Sequence, residues 1–391
     1  MSKLAKPAIK PANPYFSSGP CKKRPGWSVE VLKGALLSRS HRSSEGKARL
    51  KLAIERTREV LGVPEAFRIG IMPASDTGAF EAAMWNLLGL RGVDVLAWES
   101  FGKGWVTDIT AQLRLSDVRE LDADYGELPD LSAVDFARDV VFTMNGTTSG
   151  VRVPDFDWVA KDRGGLTLVD ATSGAFAQPI DWSKVDALTF SWQKVLGGEA
   201  AHGVLILSPR AIERLESYTP GWPMPKIFRL KKDGKLIDGI FSGETINTPS
   251  MLAVEDYLEA LAWAQDQGGL EGLMARANAN AQVLFDWIDA TGWVANLAKD
   301  PATYSNTSVC LRITDARVAS LDYDGQAAFA RAMAALLDKE DAAKDIAFYR
   351  DAPPGLRIWT GATVETADVM ALLPWLDWAF EECAASLPEA G

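Results

Sequence analysis

Short apolar runs recur along the chain, and between them lie stretches whose apolar residues return every three or four positions. The runs are Arg68–Met72, Val93–Trp98, Val140–Met144, Leu166–Val169, Ala187–Phe190 and Gly203–Leu207. Continuous runs this short predict strands in a sheet covered on both faces. Lys47–Leu61 instead places Leu50, Ala53, Ile54 and Leu61 on one helical face. A second helix is expected after Pro73-Ala74-Ser75-Asp76-Thr77-Gly78, running through Leu88, and a long one from about Pro249 to Gln267. Gly268-Gly269 supplies a helix stop there. Strands alternating with helices predict an α/β sheet with much parallel pairing.

Beyond that stop the pattern changes. A helix over about 270–290, strands at Ser308–Ile313 and Gly355–Trp359, and a terminal amphipathic helix read as a smaller α+β unit. Residues 1–16 read as an extended, proline-bearing arm and Thr219–Pro225 as a surface loop. A chain of 391 residues exceeds the usual size of one core. The expected organisation is therefore an arm over 1–16, a large domain over 17–265 and a small C-terminal domain over 266–391.

Composition narrows the function. Acidic residues outnumber basic ones 52 to 41, for a formal net charge of −11. That argues against a nucleic-acid or anionic-membrane binder, which carries a basic face. It leaves room for a local basic pocket holding a small anion. The three cysteines and two histidines are widely spaced, with no CxxC or HxxxH pairing, so no metal site is expected. No uninterrupted apolar stretch approaches the roughly 20 residues that span a bilayer. The N-terminal segment does not read as a secretory signal, and sparse cysteines fit a reducing compartment. A cytoplasmic location is expected.

Candidate chemistry sits at strand ends. In open α/β sheets ligands bind outside the carboxyl ends of the strands. Asp170 ends one apolar run, and Lys194 follows another in Ser191-Trp192-Gln193-Lys194. Ser75-Asp76-Thr77-Gly78 joins a strand to a helix N-terminus, where unpaired N–H groups attract anions. Each has an ordinary reading too, as a solvated lysine, a turn aspartate or a helix cap. Pyridoxal phosphate (PLP) accounts for all three together. Its phosphate would use the helix N-terminus, its aldehyde would condense with Lys194, and its ring nitrogen would stay protonated against Asp170.

Five short motifs strengthen that reading by their order. They are Phe16-Ser17-Ser18-Gly19-Pro20, His41-Arg42, Asp170-Ala171-Thr172-Ser173, Ser191-Trp192-Gln193-Lys194 and Asn247-Thr248-Pro249. In these the chain resembles the phosphoserine aminotransferases, class V aminotransferases of the fold-type I PLP enzymes, over nearly its whole length. The resemblance implies a large mostly parallel mixed-sheet α/β domain, a smaller α+β domain and PLP as cofactor. It implies transamination between L-glutamate and 3-phosphohydroxypyruvate to give O-phospho-L-serine, in serine biosynthesis, with vitamin B6 synthesis as a further possibility.

The resemblance also implies roles. Lys194 is expected as the lysine that forms the Schiff base and carries the proton, and Asp170 as the ring-nitrogen partner. Trp105 would stack on the ring and Thr147 would bond near its phenolic oxygen. Ser75, Asp76, Thr77, Ser173 and Gln193 fall where the phosphate cup forms. Asn247 and Thr248 would reach the phosphate from a partner subunit, implying a homodimer with shared sites. His41-Arg42 would grip the substrate phosphate or the glutamate side chain, and Arg357 the substrate α-carboxylate; the guanidinium fork suits both anions. Two departures stand out. Arg350 occupies the place of a histidine common in bacterial members, and Ser75-Asp76-Thr77 differs from a Gly/Arg-rich version of the cup.

Other readings fit less well. An alanine–glyoxylate type transaminase would share Asp170 and Lys194 but needs no phosphate grip at His41-Arg42. A cysteine desulfurase needs a cysteine on a mobile loop, whereas Cys310 falls in an expected strand, and such enzymes place histidine where this chain has Gln193. No GxGxxG follows a strand and no GxxxxGK[ST] occurs, which disfavours a dehydrogenase or P-loop enzyme. A non-catalytic protein of the same fold would be favoured by loss of the lysine or its acid, and both are present.

Overall fold

The computed structural model describes residues 4–385 and 387. Helix α1 (Ser44–Leu61) leads into β1 (Arg68–Pro73), α2 (Ser75–Leu87), β2 (Val93–Ala97), α3 (Ser100–Thr107) and β3 (Val118–Asp122). Then come β4 (Asp139–Thr143), β5 (Thr167–Asp170), β6 (Ala187–Ser191), β7 (His202–Leu207), α4 (Pro209–Ser217), α5 (Met251–Asp266) and α6 (Gly269–Ala290). The chain closes with β8 (Val294–Asn296), β9 (Ser308–Ile313), α7 (Tyr323–Lys339), β10 (Gly355–Trp359) and α8 (Thr366–Ala384).

Seven strands form the large sheet in the order β1-β7-β6-β5-β4-β2-β3. Neighbours from β6 to β3 run parallel, while β7 is antiparallel to both β1 and β6. Every residue of β2 and of β4 through β7 is buried. That is why these strands read as unbroken apolar runs rather than alternations. β3 is the exception: an edge strand, Val118-Arg119-Glu120-Leu121-Asp122, with no buried residue and no apolar run to mark it.

Two hydrophobic cores cover the two faces. One joins α2 (Ala79, Phe80, Ala83, Met84) to inward residues such as Val95, Val141, Leu168 and Leu205. The other takes the opposite face, with α1 and α5, and continues through α6 into the small sheet β8-β9-β10 and α8. Gly268, in the left-handed region at φ 93°, turns the chain directly from α5 into α6.

The N-terminal arm is held from Ile9 onward. Ile9 O accepts from Trp375 Nε1 at 2.7 Å, and Asp368 Oδ1 accepts from Ala12 N at 2.7 Å. The other oxygen of Asp368 pairs with Lys22 at 2.9 Å, with both side chains nearly excluded from solvent. Cys21 N then donates to Gln193 O at 2.8 Å. The arm thus ties α8 to the turn that carries Lys194. Among the described residues no helix is long and apolar enough to cross a membrane.

Candidate active site

The carboxyl ends of β1, β4, β5 and β6 enclose a cavity of about 260 Å³. Lys194 enters it from the turn after β6. Its Nζ donates to Ser18 O at 2.5 Å. Gly19 makes that approach possible: a Cβ there would lie 2.6 Å from Nζ, and its φ of 147° disfavours any other residue. Burial pushes the amine below its ordinary pKa, and the Arg357 charge acts in the same direction. Cys21, Asp170 and Glu99 oppose it. A desolvated lysine is more often the neutral nucleophile that carbonyl chemistry needs.

Asp170 ends β5 on the same wall. Its Oδ1 accepts from Thr172 N at 2.9 Å and its Oδ2 from Trp105 Nε1 at 3.0 Å. Both oxygens are thereby held by fixed N–H donors. The Trp105 indole packs on Phe80 with ring centroids 4.7 Å apart, so α2 and α3 together fix its plane. Thr147 and Ser173, from separate loops, meet hydroxyl to hydroxyl at 2.5 Å.

Ser75, Asp76 and Thr77 line the cavity from the first turn of α2. The turn into that helix is strained, because Ala74 and Ser75 sit in the left-handed region at φ 65° and 54°. Such conformations persist at functional sites where the surroundings impose them. Gly203 on β7 makes room for the turn, since a Cβ there would meet Ser75 O at 2.1 Å.

The cavity wall holds hydrogen-bonding capacity that the protein itself does not use. Thr143 Oγ1, Thr172 Oγ1, Ser191 Oγ and Gln193 Oε1 are buried without a partner. Buried polar atoms are normally satisfied, so an unpaired group facing a cavity points to a ligand. With the Lys194 amine and the Asp170 carboxylate on the same cavity, these three hydroxyl donors and one amide oxygen acceptor fit a phosphate-bearing, aldehyde-bearing aromatic cofactor with a basic ring nitrogen.

Glu99 was not singled out from the sequence. It lies two residues beyond β2, on the edge that carries Asp170, and that position is the signal that could have found it. Its carboxylate accepts from Gly102 N at 2.8 Å and from Thr148 Oγ1 at 2.7 Å. It therefore ties the start of α3, which carries Trp105, to the loop that carries Thr147. Burial raises its pKa despite these donors.

Five expected residues do not line this cavity. His41 and Arg42 open into a separate cavity of about 160 Å³ with Lys47, Gly243, Glu244 and Thr245. Burial, reinforced by the Arg42 charge, lowers the His41 pKa. Asn247 and Thr248 are exposed just beyond that cavity in sequence. Arg357 lies on β10 opposite Cys310. Its Nε is buried without a partner and its guanidinium stands 5.8 Å from the Tyr349 ring centroid. Arg350 is exposed and pairs with Asp351 at 3.3 Å.

Comparison with known proteins places this geometry in a family. The model of the aminotransferase class-V family matches residues 122–326. A phosphoserine aminotransferase of Methanosarcina barkeri is 56% identical over 96% of this chain and 99% of its own. The crystal structure of a phosphoserine aminotransferase from Cytophaga hutchinsonii superposes with a TM-score of 0.78 at 20% identity, covering 93% of this chain and 98% of that one. A PLP-bound phosphoserine aminotransferase from Trichomonas vaginalis has a TM-score of 0.73 at 21% identity, covering 93% and 99%. At those identities the two structures speak to the fold.

Proposed function

The chain belongs to the class-V aminotransferases, within the phosphoserine aminotransferase family, and from that membership we propose how its own residues divide the work. The reaction is PLP-dependent transamination between L-glutamate and 3-phosphohydroxypyruvate, giving 2-oxoglutarate and O-phospho-L-serine for serine biosynthesis. The observation that carries it is the buried Lys194 amine sharing one cavity with the Asp170 carboxylate, whose two oxygens accept from N–H donors.

Bound PLP supplies a carbonyl for amine exchange and a protonated ring that withdraws electrons from the substrate α-carbon. Lys194 would hold the cofactor at its carbonyl, and its Nζ would move the substrate α-proton. Asp170 would keep the ring nitrogen protonated, while Trp105 and Thr147 would orient the ring. Ser75, Thr77, Ser173 and Gln193 hold the phosphate, with Asp76 on the same wall. Arg357, with its unpaired Nε, takes the substrate α-carboxylate.

The substrate's other anion requires a second copy of the chain. His41, Arg42, Asn247 and Thr248 do not line the Lys194 cavity of their own chain. We assign them to the partner's cavity, which makes the active unit a homodimer with shared sites. The division into a large domain over 17–265 and a small one over 266–391 follows the two sheets, and the sparse cysteines support a cytoplasmic location.

Half-reactions followed by the cofactor absorbance test this. Phosphoserine and glutamate should convert the bound cofactor rapidly and alanine on the order of a hundredfold more slowly, the discrimination expected when a charged group is left unmatched. Conversion by alanine at the phosphoserine rate would refute the phosphate assignment. Lys194→Ala should abolish both the lysine-linked absorbance and turnover, and full turnover in that variant would refute the mechanism.

A further inference from the structure

Asp76 is hard to understand as a phosphate contact, because a carboxylate repels one. Its surroundings give it different work. The side chain is 6% exposed, and its Oδ1 has no hydrogen-bond donor. The Thr172 and Thr189 hydroxyls lie within reach of it without holding it in a well-formed hydrogen bond. The Asp170 carboxyl, 4% exposed, lies within hydrogen-bonding reach. Two buried carboxyls therefore face each other across one cavity wall, and among the described residues neither makes an ion pair.

Such a pair does not hold two negative charges. Like charges at hydrogen-bonding range in a desolvated site force one proton to stay. A bound ring cation offsets one charge, so even the loaded site contains one carboxyl more than it needs. The hydrogen bonds decide which carboxyl keeps the proton. Asp170 accepts from a backbone N–H and an indole N–H, both of which stabilise the anion. At Asp76 the groups in reach are the rotatable hydroxyls of Thr172 and Thr189, which can serve a protonated carboxyl as well as an ionised one, whereas the N–H donors on Asp170 are fixed.

We propose that Asp76 is a permanently protonated acid that backs Asp170, so that the pair presents one fixed negative charge to the cofactor's ring nitrogen. Asp76 is then a positioning residue. Its O–H donates to the Asp170 carboxylate, holding it in plane and drawing off part of its charge. The other titratable groups around this end of α2 do not replace it in that role. Lys194 is engaged with Ser18 O. His202 on β7 accepts from Ser250 N at Nε2, and burial keeps it neutral. Glu99 holds the start of α3. Burial and the Asp170 charge, in that order, raise the Asp76 pKa against the opposing pull of the Thr189 and Thr172 hydroxyls.

This rests on the PLP reading for its purpose but not for its test. Infrared difference spectra between the wild-type holoenzyme and Asp76→Asn should contain a carboxylic-acid C=O band that shifts in D2O and persists from pH 6 to pH 8. Asp76→Asn, isosteric with a neutral acid, should bind PLP within about threefold of wild type, whereas Asp170→Asn should weaken it at least tenfold. Loss of carboxylate bands in place of the acid band overturns the proposal, and so does failure of Asp76→Asn to bind PLP while folded. Should Asp76→Asn not fold, carboxyl-13C-aspartate in the wild-type protein gives the same readout. One aspartate carbon should stay at the acid shift through pH 8, and its absence overturns the proposal. The spectra report Asp76 whether or not PLP is bound, so failure of the PLP assignment is a separate result.

Discussion

The two ends of the large sheet bury carboxylates in opposite ways. At the amino end Asp94, Asp139 and Asp186 are at most 1% exposed. Each is met by arginine: Asp94 by Arg119 and Arg138, Asp139 by Arg214, Asp186 by Arg163 and Arg210. At the carboxyl end Asp76, Glu99 and Asp170 are at most 6% exposed, and among the described residues none of the three makes an ion pair. Their hydrogen-bond partners are backbone N–H groups, hydroxyls and one indole. The amino end spends its charges on holding strands to helices. The carboxyl end keeps its charge unspent, available for something that arrives.

The sharpest way to break this comparison is to remove one charge from each end. Asp170→Ala should cost turnover on the order of a thousandfold, the scale of a lost preorganised electrostatic contact. No arginine is left without a partner, so its stability should fall only by the cost of the unmatched Trp105 and Thr172 N–H groups, about 1–3 kcal/mol each. A variant with near-normal turnover would make the carboxyl end as structural as the amino end.

The converse substitution, Arg214→Ala, strands Asp139 in the core. Removing one partner of a buried ion pair costs about 3–5 kcal/mol of stability, readable by denaturant unfolding. Arg214 also donates to Leu87 O at the end of α2, so that helix loosens at the end remote from the cavity. Turnover per folded molecule at a permissive temperature should stay within about twofold of wild type. Unchanged stability would show that Asp139 is satisfied by its bond from Leu166 N alone.

The sequence shows the two ends unequally. Asp170 and Lys194 were legible because buried parallel strands are short apolar runs, and whatever follows such a run faces the ligand edge. The small sheet and its helices were legible from the same periodicities. β3 was not, since an edge strand with no buried face lacks an apolar signal. The pairing of Lys194 with Ser18 O joins residues far apart in sequence, and no local pattern encodes it. The same holds for the separation of His41 and Arg42 from the cavity. Glu99 was missed for a subtler reason. Between Trp98 and Ser100 it looks like one more solvated acid, and only the bonds from Gly102 and Thr148 reveal it as an internal brace.

Glu99 also gives the finest probe of the comparison, because its effect lies in a slope. Burial raises its pKa in the folded protein above the ordinary glutamate value. The folded state then holds this proton more tightly than the unfolded state does. Its contribution to stability is fully present below the ordinary value and is lost as pH rises from there through the raised folded value. Glutamine at this position does not titrate. Glu99→Gln keeps the acceptor for Gly102 N but turns an amide N–H₂ toward Thr148 N, a loss of about 1–3 kcal/mol for one buried donor left unmatched. That loss is independent of pH and lowers the whole curve. Superposed on it, the midpoint of the variant relative to wild type should rise with pH between about 4 and 8, by on the order of a degree. Parallel curves for Glu99→Gln and wild type would mean that Glu99 ionises as easily as a surface acid, and the electrostatic distinction between the two ends would then rest on Asp76 and Asp170 alone.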